Sequence, residues 1–107
     1  MTEPRAPWSL AVVPLVFAAL CLPLALDLIE PNGFYGVRTA ATRVSEDEWY
    51  RINRTAGIAG VIAGSLGFVA NLMIMRSAMV PSRMQLACLA VLVGVGLLIV
   101  FAALAAA

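Results

Sequence analysis

The last charged side chain in this sequence is Arg83, and residues 84–107 carry none. A helix crosses the hydrocarbon core of a bilayer with about 20 mostly apolar residues. Two more uncharged runs of that kind occur, residues 8–26 and 55–75. Lipid offers no hydrogen-bond partner to an open backbone, so runs like these are expected to be helices. Composition agrees. Of 107 residues, 63% are hydrophobic and 12% charged, with a mean hydropathy of +0.97. A soluble domain is about 45–50% apolar and about 25% charged. The reading is therefore a single domain, residues 1–107. It is all-α, an integral membrane three-helix bundle with a structured polar loop between helices 1 and 2. Helix 1 is expected at about 8–29, the loop at 30–45, helix 2 at 46–76 and helix 3 at 83–106.

Several function classes fall away. A net charge of +1 leaves no electrostatic footprint for nucleic acid. There is no His, so the usual general base and the commonest metal ligand are missing. No nucleophile–base pair, metal-ligand cluster or phosphate loop is legible, so no catalytic, cofactor or metal site is assigned and no enzyme activity is expected. Cys21 and Cys88 lie at different depths in helices 1 and 3, roughly 20 Å and 6 Å from the same side. That separation is too large for a disulfide. Asp27-Leu28-Ile29-Glu30 follows the first run in place of a small-x-small cleavage site, so that run reads as a retained helix. Pro14 and Pro23 should bend it.

The polar connection holds most of the information. It contains five of the six acidic residues, Asp27, Glu30, Glu46, Asp47 and Glu48. Pro31-Asn32-Gly33 is a turn signal, and Phe34 and Tyr35 suit the membrane–water interface. Ser45-Glu46-Asp47-Glu48 reads as a capping box that starts helix 2 at about Glu46. Along that helix Trp49, Asn53, Gly57, Gly60, Gly64, Gly67 and Asn71 recur every three or four residues, one stripe at helical period. Small residues on a stripe let helix backbones approach closely, and Asn71 can add an interhelical hydrogen bond. Arg38 is the principal candidate for a functional side chain. It is expected either to clamp the loop onto Asp27, Glu30, Glu48 or a helix-end carbonyl, or to bind an anionic group such as a lipid phosphate or peptide carboxylate.

The pattern Asn32-x-x-Tyr35-Gly36-x-Arg38-Thr39, followed by an acidic helix start and then Trp49-x-x-x-Asn53, resembles the hallmark of the SdpI family. These are small bacterial multi-pass membrane proteins named for an immunity protein against a sporulation-delaying toxin. Ala40 departs from the Pro that usually follows the motif. The resemblance implies a bacterial plasma-membrane protein that protects against or senses a membrane-active toxin, by binding the peptide or shielding its target. Two other readings stand beside it. One is a lipid- or small-molecule-binding or transport unit acting as a homo-oligomer. The other is an accessory subunit of a larger membrane complex. Expected partners are the bilayer and a toxin peptide or membrane protein, with no nucleic acid. Arg5, Arg76 and Arg83 share one side of the membrane, and Arg38, Arg43, Arg51 and Arg54 the other. With Arg38 used internally, the balance favours a cytoplasmic N-terminus and an external motif loop.

Overall fold

The computed structural model describes residues 9–107; the expected helix start at Trp8 and the contribution of Arg5 to topology lie outside them. Three helices follow in order, α1 (Ser9–Ala25), α2 (Glu46–Met75) and α3 (Pro81–Ala106), with one 3-10 turn, Ala41–Arg43, in the long connection. The bundle is 57 Å long and about 20 Å across. Helix α2 is central, with α1 and α3 packed on it and touching each other far less.

Helices α2 and α3 are long and apolar enough to cross a membrane, and α1 is a shorter apolar helix of 17 residues. Outward-facing Leu86, Val93, Leu97, Leu98, Phe101 and Leu104 are all exposed. An apolar surface of that extent belongs against lipid.

Helix α1 stops earlier than the sequence suggests, at Ala25 rather than near Ile29. The reason is local. Asp27 takes a left-handed conformation with φ 58°, and the N–H groups of Asp27 and Leu28 bond back to the carbonyls of Leu24 (3.3 Å) and Pro23 (2.9 Å). This is a Schellman cap with Asp where Gly is usual. Helix α3 starts two residues earlier than expected because Pro81 is accepted at its first turn. At the start of α2, Ser45 Oγ accepts the Glu48 N–H at 3.1 Å. The reciprocal half of the capping box is absent, since the Glu48 carboxylate pairs with Arg51 at 2.5 Å instead.

Glycines form the α1–α2 seam. A Cβ on Gly57 would lie 2.5 Å from the Ala25 nitrogen, and one on Gly64 would lie 2.5 Å from the Pro14 oxygen. Backbone meets backbone at both points. Gly60 faces Cys21, and Gly67 sits between Pro14 and Val95 of α3. At the far end Asn71, fully buried, donates from Nδ2 to the Leu10 carbonyl. Leu10 is four residues before Pro14, so its carbonyl is the one that the proline leaves without a helical N–H. The side chain on α2 thus replaces the missing donor of α1. Cys21 and Cys88 are buried free thiols.

Candidate functional site

Because Gly57 faces Ala25, the first ten residues or so of α2 rise past the end of α1, by about 16 Å at 1.5 Å per residue. Here the long connection wraps α2 in place of a helix. A wrapped loop has no ladder of its own, so side chains must satisfy its backbone. The motif residues do this.

Asn32 closes the first turn. Its Oδ1 accepts the N–H groups of Phe34 (2.8 Å) and Tyr35 (2.7 Å), and its Nδ2 donates to the Glu30 carbonyl (2.7 Å). The Tyr35 hydroxyl donates to the Leu20 carbonyl on α1. Its pKa is raised, first by desolvation. Asn53, 2% exposed, reads the next peptide on both sides. It accepts the Val37 N–H at 2.5 Å and donates to the Val37 carbonyl at 3.2 Å and the Trp49 carbonyl at 2.9 Å. Gly36 makes this approach feasible. Its φ is +104°, and a Cβ there would sit 2.7 Å from Asn53 Oδ1 and 3.2 Å from Leu24 Cδ2. Trp49 is buried, with its indole N–H donating to the Ile29 carbonyl at 2.9 Å. Thr39 and Thr42 exchange bonds across the 3-10 turn, the Thr39 N–H donating to Thr42 Oγ1 at 2.8 Å and the Thr42 hydroxyl donating to the Thr39 carbonyl at 3.0 Å.

Arg38 is not on the carboxylates that spacing offered it. It donates from a guanidinium nitrogen to the Gly33 carbonyl, drawing the loop into a ring. Asp27 pairs with Arg54 at 2.9 Å and Glu48 with Arg51, while Glu30 contributes its backbone carbonyl to the Asn32 turn. The Arg51 guanidinium holds the Glu48 carboxyl below its ordinary value. Left-handed Asp27 sends its carboxylate across to α2, a direction no sequence periodicity records.

The structure thus gathers Asn32, Tyr35, Gly36, Arg38, Thr39, Trp49 and Asn53 into one polar cap. Gly57, Gly60, Gly64, Gly67 and Asn71 lie below it along the seam. Beside the cap is an open cleft of about 570 Å³ lined by Asn32, Gly33, Arg38, Arg43, Glu46 and Trp49, among others. Arg43 and Thr42 were not singled out from the sequence. The Thr39-x-x-Thr42 spacing was the available signal for the second, and nothing in the spacing marked the first. Among the described residues the Arg43 side chain makes no hydrogen bond or ion pair, and no group of three or more His, Cys, Asp or Glu could hold a metal ion.

No curated protein and no solved structure significantly matches the chain. A family model does, over residues 29–106, from the turn after α1 through both remaining helices. That span takes in the whole polar cap and most of the chain, and the protein is therefore a membrane protein belonging to the SdpI/YfhL protein family.

Proposed function

We propose that this chain is a multi-pass protein of the bacterial plasma membrane that protects its host from a membrane-active peptide. In this reading the polar cap either binds the peptide or shields the membrane component that the peptide attacks. The role is non-catalytic. Family membership supports the reading, since the family resembled is named for an immunity protein against a sporulation-delaying toxin.

The observation that carries it is the division of labour in the cap. Asn32, Tyr35, Gly36, Asn53 and Trp49 are consumed in fixing the loop against α1 and α2. What the fixed loop presents is a cleft with Arg38 and Arg43 on its wall. A fixed cap that presents two arginines, one of them unpaired among the described residues, is a recognition surface. A cytoplasmic N-terminus would place it on the outer face, where a secreted peptide arrives.

The test is protection. The chain is expressed in a bacterium sensitive to a sporulation-delaying toxin, and survival is scored against Asn53→Ala and against empty vector. Protection by the wild-type chain that falls in Asn53→Ala is the expected result. Equal killing of wild-type and empty-vector cells at matched membrane expression refutes the proposal.

A further inference from the structure

We infer that the cleft beside Arg38 and Arg43 holds the phosphate of an anionic phospholipid headgroup, with Phe34 seated in the adjoining interface. The inference rests on the reading of the cap as a membrane-surface recognition element, and it names what that surface recognises.

Three observations converge. The first is depth. The loop does not stand off in water. The Tyr35 hydroxyl reaches the Leu20 carbonyl, and Gly36 lies against Leu24, so residues 34–36 sit beside the last two turns of apolar α1. This is the edge of the hydrocarbon layer, where headgroup phosphates begin.

The second is exposure. Phe34 is 95% exposed, although its own N–H is fixed by Asn32. Phe34, a large apolar side chain held out from an ordered polar loop at this level, has the acyl–headgroup boundary as its solvent.

The third is charge. Arg38 donates one nitrogen to the Gly33 carbonyl, which fixes its position beside Phe34. Arg38 lines the cleft together with Arg43, whose side chain is unpaired among the described residues. Glu46 also lines the cleft, so two cations face one carboxylate. Of the other charges of the cap, four are neutralised in the Arg51–Glu48 and Arg54–Asp27 pairs, Asp47 lies in a second, separate cleft, and the Glu30 carboxylate lines neither cleft. Two arginines lining one cleft bring guanidinium groups, whose fork geometry matches the oxygens of a phosphate.

The test is native mass spectrometry of the full chain in mild detergent, titrated with dioleoylphosphatidylglycerol, with dioleoylglycerol of the same tails, and with inorganic phosphate. Phosphatidylglycerol should bind at least tenfold more tightly than dioleoylglycerol. Arg43→Gln should weaken that binding about tenfold, as expected for loss of one charge-assisted contact. The Arg38→Gln/Arg43→Gln double variant should remove the preference, while Arg76→Gln at the other end should leave it unchanged. Arg43→Gln removes no hydrogen bond or ion pair among the described residues, so its unfolding midpoint should match wild type even if the Arg38 variant loosens the loop.

Equal binding of the two lipids, or wild-type binding by both arginine variants, overturns the inference. Inorganic phosphate that binds through the same arginines as tightly as the lipid reassigns the site to a soluble anion, which also overturns it. The protection reading fails separately. Wild-type chain that binds phosphatidylglycerol through the arginines but gives no protection refutes only that reading. Protection with arginine-independent lipid binding refutes only this inference.

Discussion

Asn53 is the side chain on which the shape of the cap depends, and its loss can be worked through. Replacement by Ala removes the acceptor of the Val37 N–H and the donor to the Val37 carbonyl. The bond to the Trp49 carbonyl matters less, because that oxygen lies within α2. Each intramolecular bond is worth about 1 kcal/mol net, and a buried group left unpaired costs about 1–3 kcal/mol. Val37 is half-buried, so water recovers part of this and about 3 kcal/mol is expected. At about 1.4 kcal/mol per decade, amide exchange at Val37 should accelerate roughly a hundredfold. Hydrogen exchange in micelles reads this directly, and amides along the α1–α2 seam should change far less. Asn53→Asp keeps an oxygen for the Val37 N–H but turns lone pairs toward two carbonyls, so it should be at least as damaging. Gly36→Ala attacks the same contact from the other side, combining a strained positive φ, about 1–3 kcal/mol, with a methyl group 2.7 Å from Asn53 Oδ1. Since the clash disappears when Asn53 is Ala, the double variant should fall short of additivity by about 1–2 kcal/mol. An exchange rate at Val37 within threefold of wild type in Asn53→Ala, or strict additivity in the cycle, would refute the reasoning.

Asn71→Leu should destabilise the bundle by about 1–2 kcal/mol by stranding the Leu10 carbonyl. The loss should shrink in a Pro14→Ala background, where the helix supplies its own N–H; unfolding by titration with a denaturing detergent measures both, and an equal loss in the two backgrounds would disprove the link. Gly57→Ala must drive α1 outward from 2.5 Å toward the 3.4 Å at which ordinary contact begins, at a cost of about 1–3 kcal/mol. Gly94→Ala meets nothing within 4 Å and should be neutral in the same titration. The Glu48 carboxyl is held below its ordinary 4.5, chiefly by its hydrogen bond to Arg51. A depressed folded value means that this contribution is present at neutral pH and is lost as pH falls through the lowered value. The start of α2 should therefore fray in acid below pH 4.5, a dependence read from amide exchange of the first turn that Glu48→Gln should weaken, with Glu46 and Asp47 still in that turn.

Much of this architecture is written in the sequence, because the physics that sets it is local or periodic. The uncharged runs mark α2 and α3, and a three- and four-residue rhythm places Gly57, Gly60, Gly64, Gly67 and Asn71 on one face whatever the partner. Ser45 caps α2 because its oxygen need reach only three residues. What the sequence left open depends on register between elements. Pro14 and Asn71 are legible separately as a bend and a polar side chain. That one mends the other follows only once α1 and α2 are aligned so that Asn71 meets Leu10. The partner of Arg38, open in the sequence between carboxylates and a backbone carbonyl, depends on register for a related reason. The left-handed turn at Asp27 swings that carboxylate onto Arg54, and Arg38 donates to a backbone carbonyl five residues back.

The same register links the two halves of the molecule. Gly57 against Ala25, Gly64 against Pro14 and Ala18, and Asn71 against Leu10 are contacts along a single antiparallel alignment. A one-residue slip rotates a helix by about 100°, which would replace the glycines with Ile58 or Ser65 at points where even a methyl group has no room. The seam therefore tolerates one height of α1 on α2. That height decides where α1 ends, and hence where Leu20, Leu24 and Ile29 are offered to the loop. Tyr35, Gly36 and Trp49 each anchor on one of those three. The positions of Arg38 and Arg43 are in this sense set below them, in the glycine seam.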